Sequence, residues 1–158
     1  MTRTATLALV VVVVAGLLAG AVVLAKDIQC LSGKCVGTKK ADEIVGSFGP
    51  DTIFARGGND TIFAESGDDE IRGSGGIDTI IDDGGNDEIH GGDANDIILD
   101  FGPGPDVDTI FGDDGDDSIN VREGAADVDP DVVDCGSGTD KVTADPGDTL
   151  IDCEILIP

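Results

Sequence analysis

The chain has 158 residues, 33 acidic side chains against 9 basic ones, and a formal net charge of −24. Its 24 glycines and its many aspartates favour turns, which excludes a helical bundle for most of the length. The charge also excludes nucleic-acid or acidic-membrane binding through a basic patch and points to cations as partners.

The first element in chain order is an apolar N-terminal segment, residues 1–25. Arg3 precedes an unbroken run of apolar and small residues, which ends in the small-residue pattern Val23-Leu24-Ala25. This pattern predicts a secretory signal peptide, and therefore a secreted, extracellular protein that is free or associated with the cell surface. The alternative is an uncleaved membrane anchor, because the run nearly reaches the roughly 20 residues that a membrane span needs.

Four cysteines, two near each end of the remaining chain, form the next pattern. An even number of cysteines in an exported protein predicts two disulfides. Of the three pairings, we favour the local one, Cys30 with Cys35 and Cys135 with Cys153. A zinc site is the alternative, but the sequence has no Cys-x-x-Cys. We expect an N-terminal disulfide cap at residues 26–36 and a C-terminal cap at residues 144–158.

A nine-residue repeat organises residues 37–143. Seven aspartates recur at a constant spacing of nine, and each is followed two residues later by an isoleucine. After the seventh unit three residues are inserted, and five more are inserted further on, but the pattern of aspartate and branched apolar residue returns after each insertion. Seven units in one phase indicate a regular repetitive fold.

Each unit is expected to fold as a turn and a short strand. Six residues rich in Gly, Asp, Asn and Ser form the turn, and three residues such as Thr61-Ile62-Phe63 form the strand. Neighbouring strand residues point to opposite sides, so Ile62 faces inward while Thr61 and Phe63 face outward. Two units complete a coil of 18 residues. The sequence therefore predicts an all-β fold, a right-handed parallel β-roll, or β-solenoid, with isoleucines between two sheets.

The repeat resembles that of the RTX, or haemolysin-type, calcium-binding family, whose consensus is Gly-Gly-x-Gly-x-Asp-x-(large apolar)-x. The unit from Gly91 to Leu99 matches best, with Ala94 in place of the third glycine, and only this unit keeps the leading glycine pair. The resemblance covers residues 37 to about 150. It implies a small exported bacterial calcium-binding repeat protein whose ions lie between successive turns on one edge, held by aspartate side chains and loop carbonyls.

Calcium also suits the expected geometry of the aspartates. Alternate units fall on opposite edges, and stacked strands about 4.7–4.9 Å apart place like charges close together. An ion with calcium–oxygen bonds of about 2.3–2.6 Å fits between them, whereas magnesium demands a stricter geometry. We predict several Ca²⁺ ions and the following metal ligands: Asp42, Asp51, Asp60, Asp69, Asp78, Asp87, Asp96, Asp108, Asp117 and Asp140.

The sequence leaves alternative functions open. An acidic run is often a disordered segment, although the fixed phase argues against this, and a calcium-free solenoid is a further alternative. His90 is the only histidine, and no catalytic motif accompanies it, so we predict a structural or interaction module and not an enzyme. An accessory or non-catalytic remnant of a secreted RTX-type hydrolase, or a surface adhesin, is the other reading. The sequence names no protein or polymer partner.

Overall fold

The computed structural model describes residues 26–31, 33–102, 106–122 and 129–157. The predicted signal peptide lies outside these residues. Within the described ranges every regular element is a β-strand. None of the described residues belongs to a helix of the length and apolarity that a membrane crossing requires.

The strands are short and follow each other along the chain at nearly regular intervals. In chain order they are β1 (Lys26–Gln29), β2 (Lys34–Val36), β3 (Asp42–Val45), β4 (Thr52–Phe54), β5 (Thr61–Ser66), β6 (Glu70–Gly75), β7 (Thr79–Gly84), β8 (Glu88–Asp93), β9 (Ile97–Asp100), β10 (Thr109–Asp114), β11 (Ser118–Asn120), β12 (Val132–Asp134), β13 (Lys141–Thr143), β14 (Thr149–Ile151) and β15 (Ile155–Leu156).

Odd-numbered and even-numbered strands form two separate parallel sheets. The eight-stranded sheet has the order β1-β3-β5-β7-β9-β11-β13-β15, and the seven-stranded sheet has the order β14-β12-β10-β8-β6-β4-β2. Each strand pairs in parallel with the strand two places on, so that Ile44, Ile62 and Ile80 are aligned partners. The prediction of a parallel β-roll of nine-residue units is therefore confirmed.

The two insertions leave the register of the strands on either side intact. Ile98 still pairs with Ile119, and Ile119 pairs with Val142, although the chain between aligned positions grows from 18 residues to 21 and then 23. A strand that slipped by one residue would turn its isoleucine to solvent, so burial of this one side chain fixes the register.

The core is a single column of branched apolar side chains between the sheets. Each lies two residues after a repeat aspartate and is almost fully buried; the members are Ile44, Ile53, Ile62, Ile71, Ile80, Ile89, Ile98, Ile110, Ile119, Val133 and Val142. The flanking strand residues, such as Thr61 and Phe63, are only half-buried on the outer faces. The predicted inward and outward alternation is confirmed.

Both predicted disulfides, Cys30–Cys35 and Cys135–Cys153, are present. Cys35 is aligned with Ile53 and therefore extends the core column at its N-terminal end, and Cys135 is also buried. Strands β1 and β2 at one end, and β14 and β15 at the other, pair with the neighbouring coils. The sheets thus extend through both segments that carry the disulfides.

The turns bring successive coils so close together that some positions have no room for a side chain. Gly76 has a φ of +114°, a conformation that residues with a Cβ rarely adopt, and a Cβ there would collide with the carbonyl oxygen of Gly58 in the previous coil. Gly49 has open space around its Cα instead, with no atom within 4 Å of a Cβ built there.

Gly76→Ala is therefore expected to destabilise the folded protein by about 2 kcal/mol or more, because it adds both backbone strain and a steric clash. Gly49→Ala is the matched control and should change the free energy of unfolding by less than about 0.5 kcal/mol. Thermal unfolding in saturating calcium measures both effects. Equal stabilities of the two variants would show that the turns do not pack as closely as described.

Candidate metal centre

All ten predicted ligands are buried aspartates that stand at the end of a turn, at or next to the first residue of a strand. Their side chains are at most 3 % exposed. Carboxylates are almost never buried to this degree unless they are paired or bind a metal. The repeat thus buries a charged group once in every unit, which is costly and calls for a compensating partner.

The aspartates form one row along each edge of the roll, as the alternation of half-coils predicts. The first row contains Asp42, Asp60, Asp78, Asp96, Asp117 and Asp140. The second row contains Asp51, Asp69, Asp87, Asp108 and Asp131. Asp131 was not among the predicted ligands, although Val133 two residues later continues the repeat pattern and could have identified it.

One oxygen of each interior carboxylate is used to join neighbouring coils. The backbone N–H of Asp60 donates to Oδ1 of Asp78 at 2.8 Å, and the N–H of Asp78 donates to Oδ1 of Asp96 at 2.8 Å. The same bond recurs along both rows at 2.6–2.9 Å. The backbone carbonyl of the repeat aspartate also accepts a hydrogen bond from a backbone N–H of the next coil. The main chain of each interior repeat aspartate is therefore fixed relative to the neighbouring coils.

The other oxygen, Oδ2, is buried and meets no hydrogen-bond donor in most repeat aspartates. These residues are Asp60, Asp69, Asp78, Asp87, Asp96, Asp108, Asp117 and Asp140. A buried acceptor without a partner costs about 1–3 kcal/mol, more for a charged group, so such atoms are rare in native proteins. A row of such oxygens on each edge indicates that these carboxylates interact with a group other than a hydrogen-bond donor. A bound cation is the partner that would balance their negative charge.

The first coil departs from this pattern. The Asp42 carboxyl accepts hydrogen bonds from the backbone N–H and the hydroxyl of Thr38, and Asp51 Oδ2 accepts from the backbone N–H and the hydroxyl of Ser47. Of these two residues only Asp51 keeps a buried oxygen, Oδ1, without a donor. The N-terminal turns therefore satisfy their carboxylates largely by themselves, and Asp42 is the weakest of the predicted ligands.

Backbone carbonyl oxygens approach the same spaces as Oδ2. The position that a Cβ on Gly73 would occupy lies 2.5 Å from Asp78 Oδ2 and 2.5 Å from the Gly91 carbonyl oxygen. Among the described residues, no three Asp, Glu, His or Cys side chains come together closely enough to hold a metal ion by themselves. A cation here must therefore be shared between carboxylate and main-chain oxygens, which is the type of donor set that calcium accepts.

Burial changes the acidity of the rows. Desolvation, together with the charges of neighbouring aspartates, raises the pKa of Asp69 and Asp96 to about 7 and that of Asp78 and Asp117 to about 6. The backbone N–H donated to Oδ1 lowers the pKa but does not offset the effect of burial. The ionised rows are therefore unfavourable at neutral pH when no cation balances them.

The stability of the metal-free protein should consequently rise as the pH falls. A carboxyl group whose pKa is higher in the folded state than the ordinary 3.8 favours folding when protonated. For these aspartates the contribution is lost as the pH rises through the folded-state values of about 6 to about 7.

We expect protein that has been freed of metal by dialysis to gain β-structure between about pH 7.5 and about pH 4.5 in far-UV circular dichroism. With calcium present the dependence should be reversed, because protons compete with the cation for the same oxygens. A metal-free protein that loses structure on acidification would contradict this account of the rows.

Two further buried aspartates occupy positions that the sequence analysis did not count as ligands. Asp82 and Asp100 stand four residues after a repeat aspartate, where other units have Ala64, Gly73 and Gly91. In the sequence, the replacement of this small residue by an aspartate could have identified both positions as additional acidic sites. His90, by contrast, lies on the outer face, where its ring stacks on Phe111, so it takes no part in the rows.

The comparison with known protein families bears on these rows directly. The family description "RTX calcium-binding nonapeptide repeat (4 copies)" matches residues 36–71, 72–99 and 104–125. The matched residues include the predicted ligands from Asp42 to Asp117. No curated protein and no solved structure matches the chain.

Proposed function

We propose that this chain, which belongs to the RTX calcium-binding nonapeptide-repeat family, binds several Ca²⁺ ions along its two rows of aspartates and folds on binding them. The observation that carries the proposal is the recurrent buried Oδ2 without a hydrogen-bond donor. In this function the protein is an exported structural or interaction module and not an enzyme.

The two carboxylate oxygens and the loop carbonyls have different roles in the proposed ion binding. Oδ1 accepts the N–H of the preceding coil and so fixes the carboxylate, which leaves Oδ2 for the ion. Loop carbonyls such as that of Gly91 add neutral oxygens. Calcium takes six to eight oxygen ligands in a flexible geometry, whereas magnesium requires near-ideal octahedral geometry and gives up its waters reluctantly. This donor set therefore favours calcium over magnesium.

An extracellular place of action is supported by the cysteines. Both disulfides join cysteines within one end of the roll, and structural disulfides persist in oxidising compartments outside the cytosol. In such an environment calcium is also abundant enough for sites of modest affinity. We therefore infer that the protein folds after export, when it first meets calcium.

A role as an interaction module, such as an adhesin or an accessory to a secreted hydrolase, has one observation in its favour. The outer face of the eight-stranded sheet carries an aligned row of apolar side chains, Val45, Phe63, Ile81 and Leu99. These side chains are partly exposed. Such a row is a surface on which another molecule is able to pack.

Calorimetric titration of the metal-free protein, with its disulfides intact, tests the calcium function. We expect several ions to bind, and magnesium at the same concentration to bind much more weakly. A triple variant with Asn at Asp60, Asp78 and Asp96 should bind fewer ions. A control with Asn at the exposed residues Asp83, Asp93 and Asp152 changes the net charge equally and should keep the full stoichiometry. Equal stoichiometries of the two triple variants would refute ligation by the rows.

A further inference from the structure

Two pairs of buried carboxyl groups lie next to each other at the centre of the second row: Asp82 with Asp87 and Asp100 with Asp108, called here the acid cluster. Asp87 and Asp108 are repeat aspartates, whereas Asp82 and Asp100 are additions on strands β7 and β9, where they are aligned partners in the eight-stranded sheet. The coils on either side have apolar residues at this position. The first row has no such addition, because Gly73, Gly91 and Gly112 stand at its corresponding positions.

Because of Asp82 and Asp100, two successive coils each have two buried carboxyl groups on this edge, where the other coils have one repeat aspartate. The Asp82 carboxyl lies against that of Asp87, and the Asp100 carboxyl lies against that of Asp108. All four side chains are at most 3 % exposed. Asp106, also buried, lies close enough to Asp87 and Asp100 to add its negative charge.

These acids have no cationic partner in the described part of the chain. None of the ion pairs found there involves a member of the acid cluster. Both oxygens of Asp82 are buried without a hydrogen-bond donor, and so are the Oδ2 atoms of Asp87, Asp100 and Asp108. Asp82 is thus a fully buried polar side chain that lies against Asp87 and has no cationic partner in the described residues.

We propose that the acid cluster holds one Ca²⁺ ion more tightly than any other position along either row, and that this ion binds first. The proposal rests on the calcium function proposed above and adds an order of binding to it. Calcium affinity rises with the number of charged ligands and with the rigidity of the site. The two acid pairs concentrate four buried carboxyl groups around two successive coils, whereas the matching coils of the first row have two, so a cation bound here by the repeat aspartates and main-chain oxygens feels the additional negative charge of Asp82 and Asp100.

The position of the cluster gives this first ion a role in folding. It joins the coil of β7 and β8 to the coil of β9 and β10, near the middle of the roll. In a repeat protein each coil is stabilised mainly by its immediate neighbours, so structure formed at one place spreads outward. An ion bound at the centre therefore supplies the first pair of ordered coils on which the others assemble.

A double variant, Asp82→Ala and Asp100→Ala, tests the proposal in the full protein. Alanine is compatible with this position, because Ala55 and Ala64 occupy it in other coils. Competition with a chromophoric calcium chelator measures the tightest binding step. We expect that step to weaken at least tenfold in the double variant, while the remaining ions still bind and the circular dichroism at saturating calcium stays unchanged.

The matched control is Asp83→Ala with Asp93→Ala, which removes the same charge from exposed neighbours and should leave the tightest step intact. An unchanged tightest step in the cluster variant would overturn the proposal while the general calcium function stands. Absence of calcium binding in the unaltered protein would overturn both. If the double variant fails to fold in saturating calcium, Asp82→Asn decides: loss of the tight step supports the proposal, and its retention refutes it.

Discussion

Removal of calcium at neutral pH is expected to abolish most of the β-structure of this protein, and its return is expected to restore the fold. One isoleucine in every nine residues is a thin core for ordering a whole turn and strand. Most units also bury a carboxylate that has one oxygen without a hydrogen-bond donor. Calcium binding therefore has to provide much of the folding free energy, as in other proteins whose metal sites exist only in the folded state.

Far-UV circular dichroism follows this transition directly. The spectrum in excess EGTA at about pH 7.5, above the raised pKa values of the rows, should be that of a largely disordered chain. Added calcium should convert it to a β-spectrum along a cooperative curve. Magnesium at the same concentration serves as the control for ionic strength and should produce little β-structure. A chain that remains fully folded in EGTA would show that the isoleucine column and the backbone hydrogen bonds are sufficient by themselves.

Asp78→Asn is expected to have opposite effects on the metal-free and the calcium-bound protein. The asparagine carbonyl replaces Oδ1 as acceptor for the N–H of Asp60, so the bond between coils is kept. Its amide group replaces Oδ2 and carries no charge. Because burial raises the pKa of Asp78 to about 6, removal of this charge favours the metal-free fold at neutral pH.

The calcium-bound state loses a charged ligand in the same substitution. We expect the calcium concentration at the folding midpoint to rise roughly tenfold, which corresponds to about 1.4 kcal/mol. The protein in EGTA should at the same time show more residual β-structure than the unaltered chain. Asp93→Asn, at the exposed end of strand β8, is the control and should change neither quantity. A variant that is destabilised equally with and without calcium would mean that Asp78 has only a structural role.

The periodicity of the sequence determines the architecture because the repeat contains one large inward-facing side chain per unit. The fixed spacing between Asp60, Ile62 and the next repeat leaves a single register in which every isoleucine is buried. The same spacing assigns the aspartates to two edges. The pairing of Cys30 with Cys35 and of Cys135 with Cys153 follows from their positions at the two ends of the repeats.

Only the tertiary structure determines what each carboxylate oxygen does. The bond from the Asp60 N–H to Asp78 Oδ1 joins residues 18 positions apart, and in the later coils the same bond joins residues 21 or 23 apart, because the loops between them differ in length. A repeat pattern cannot specify which of two chemically equal oxygens is used, since that choice depends on the direction in which the adjoining coil presents its N–H.

The burial of Asp82 and Asp100 was likewise decided by the stacking of coils. In the sequence these residues resemble any other turn aspartates, and Asp82 has an equally acidic neighbour in Asp83. In the fold Asp82 is 1 % exposed whereas Asp83 points to solvent, because the alternation of the strand continues beyond the isoleucine unit and turns Asp82 inward. The sequence determined how many acids each turn contains, and the packing of one coil on the next decided which of them are buried away from solvent.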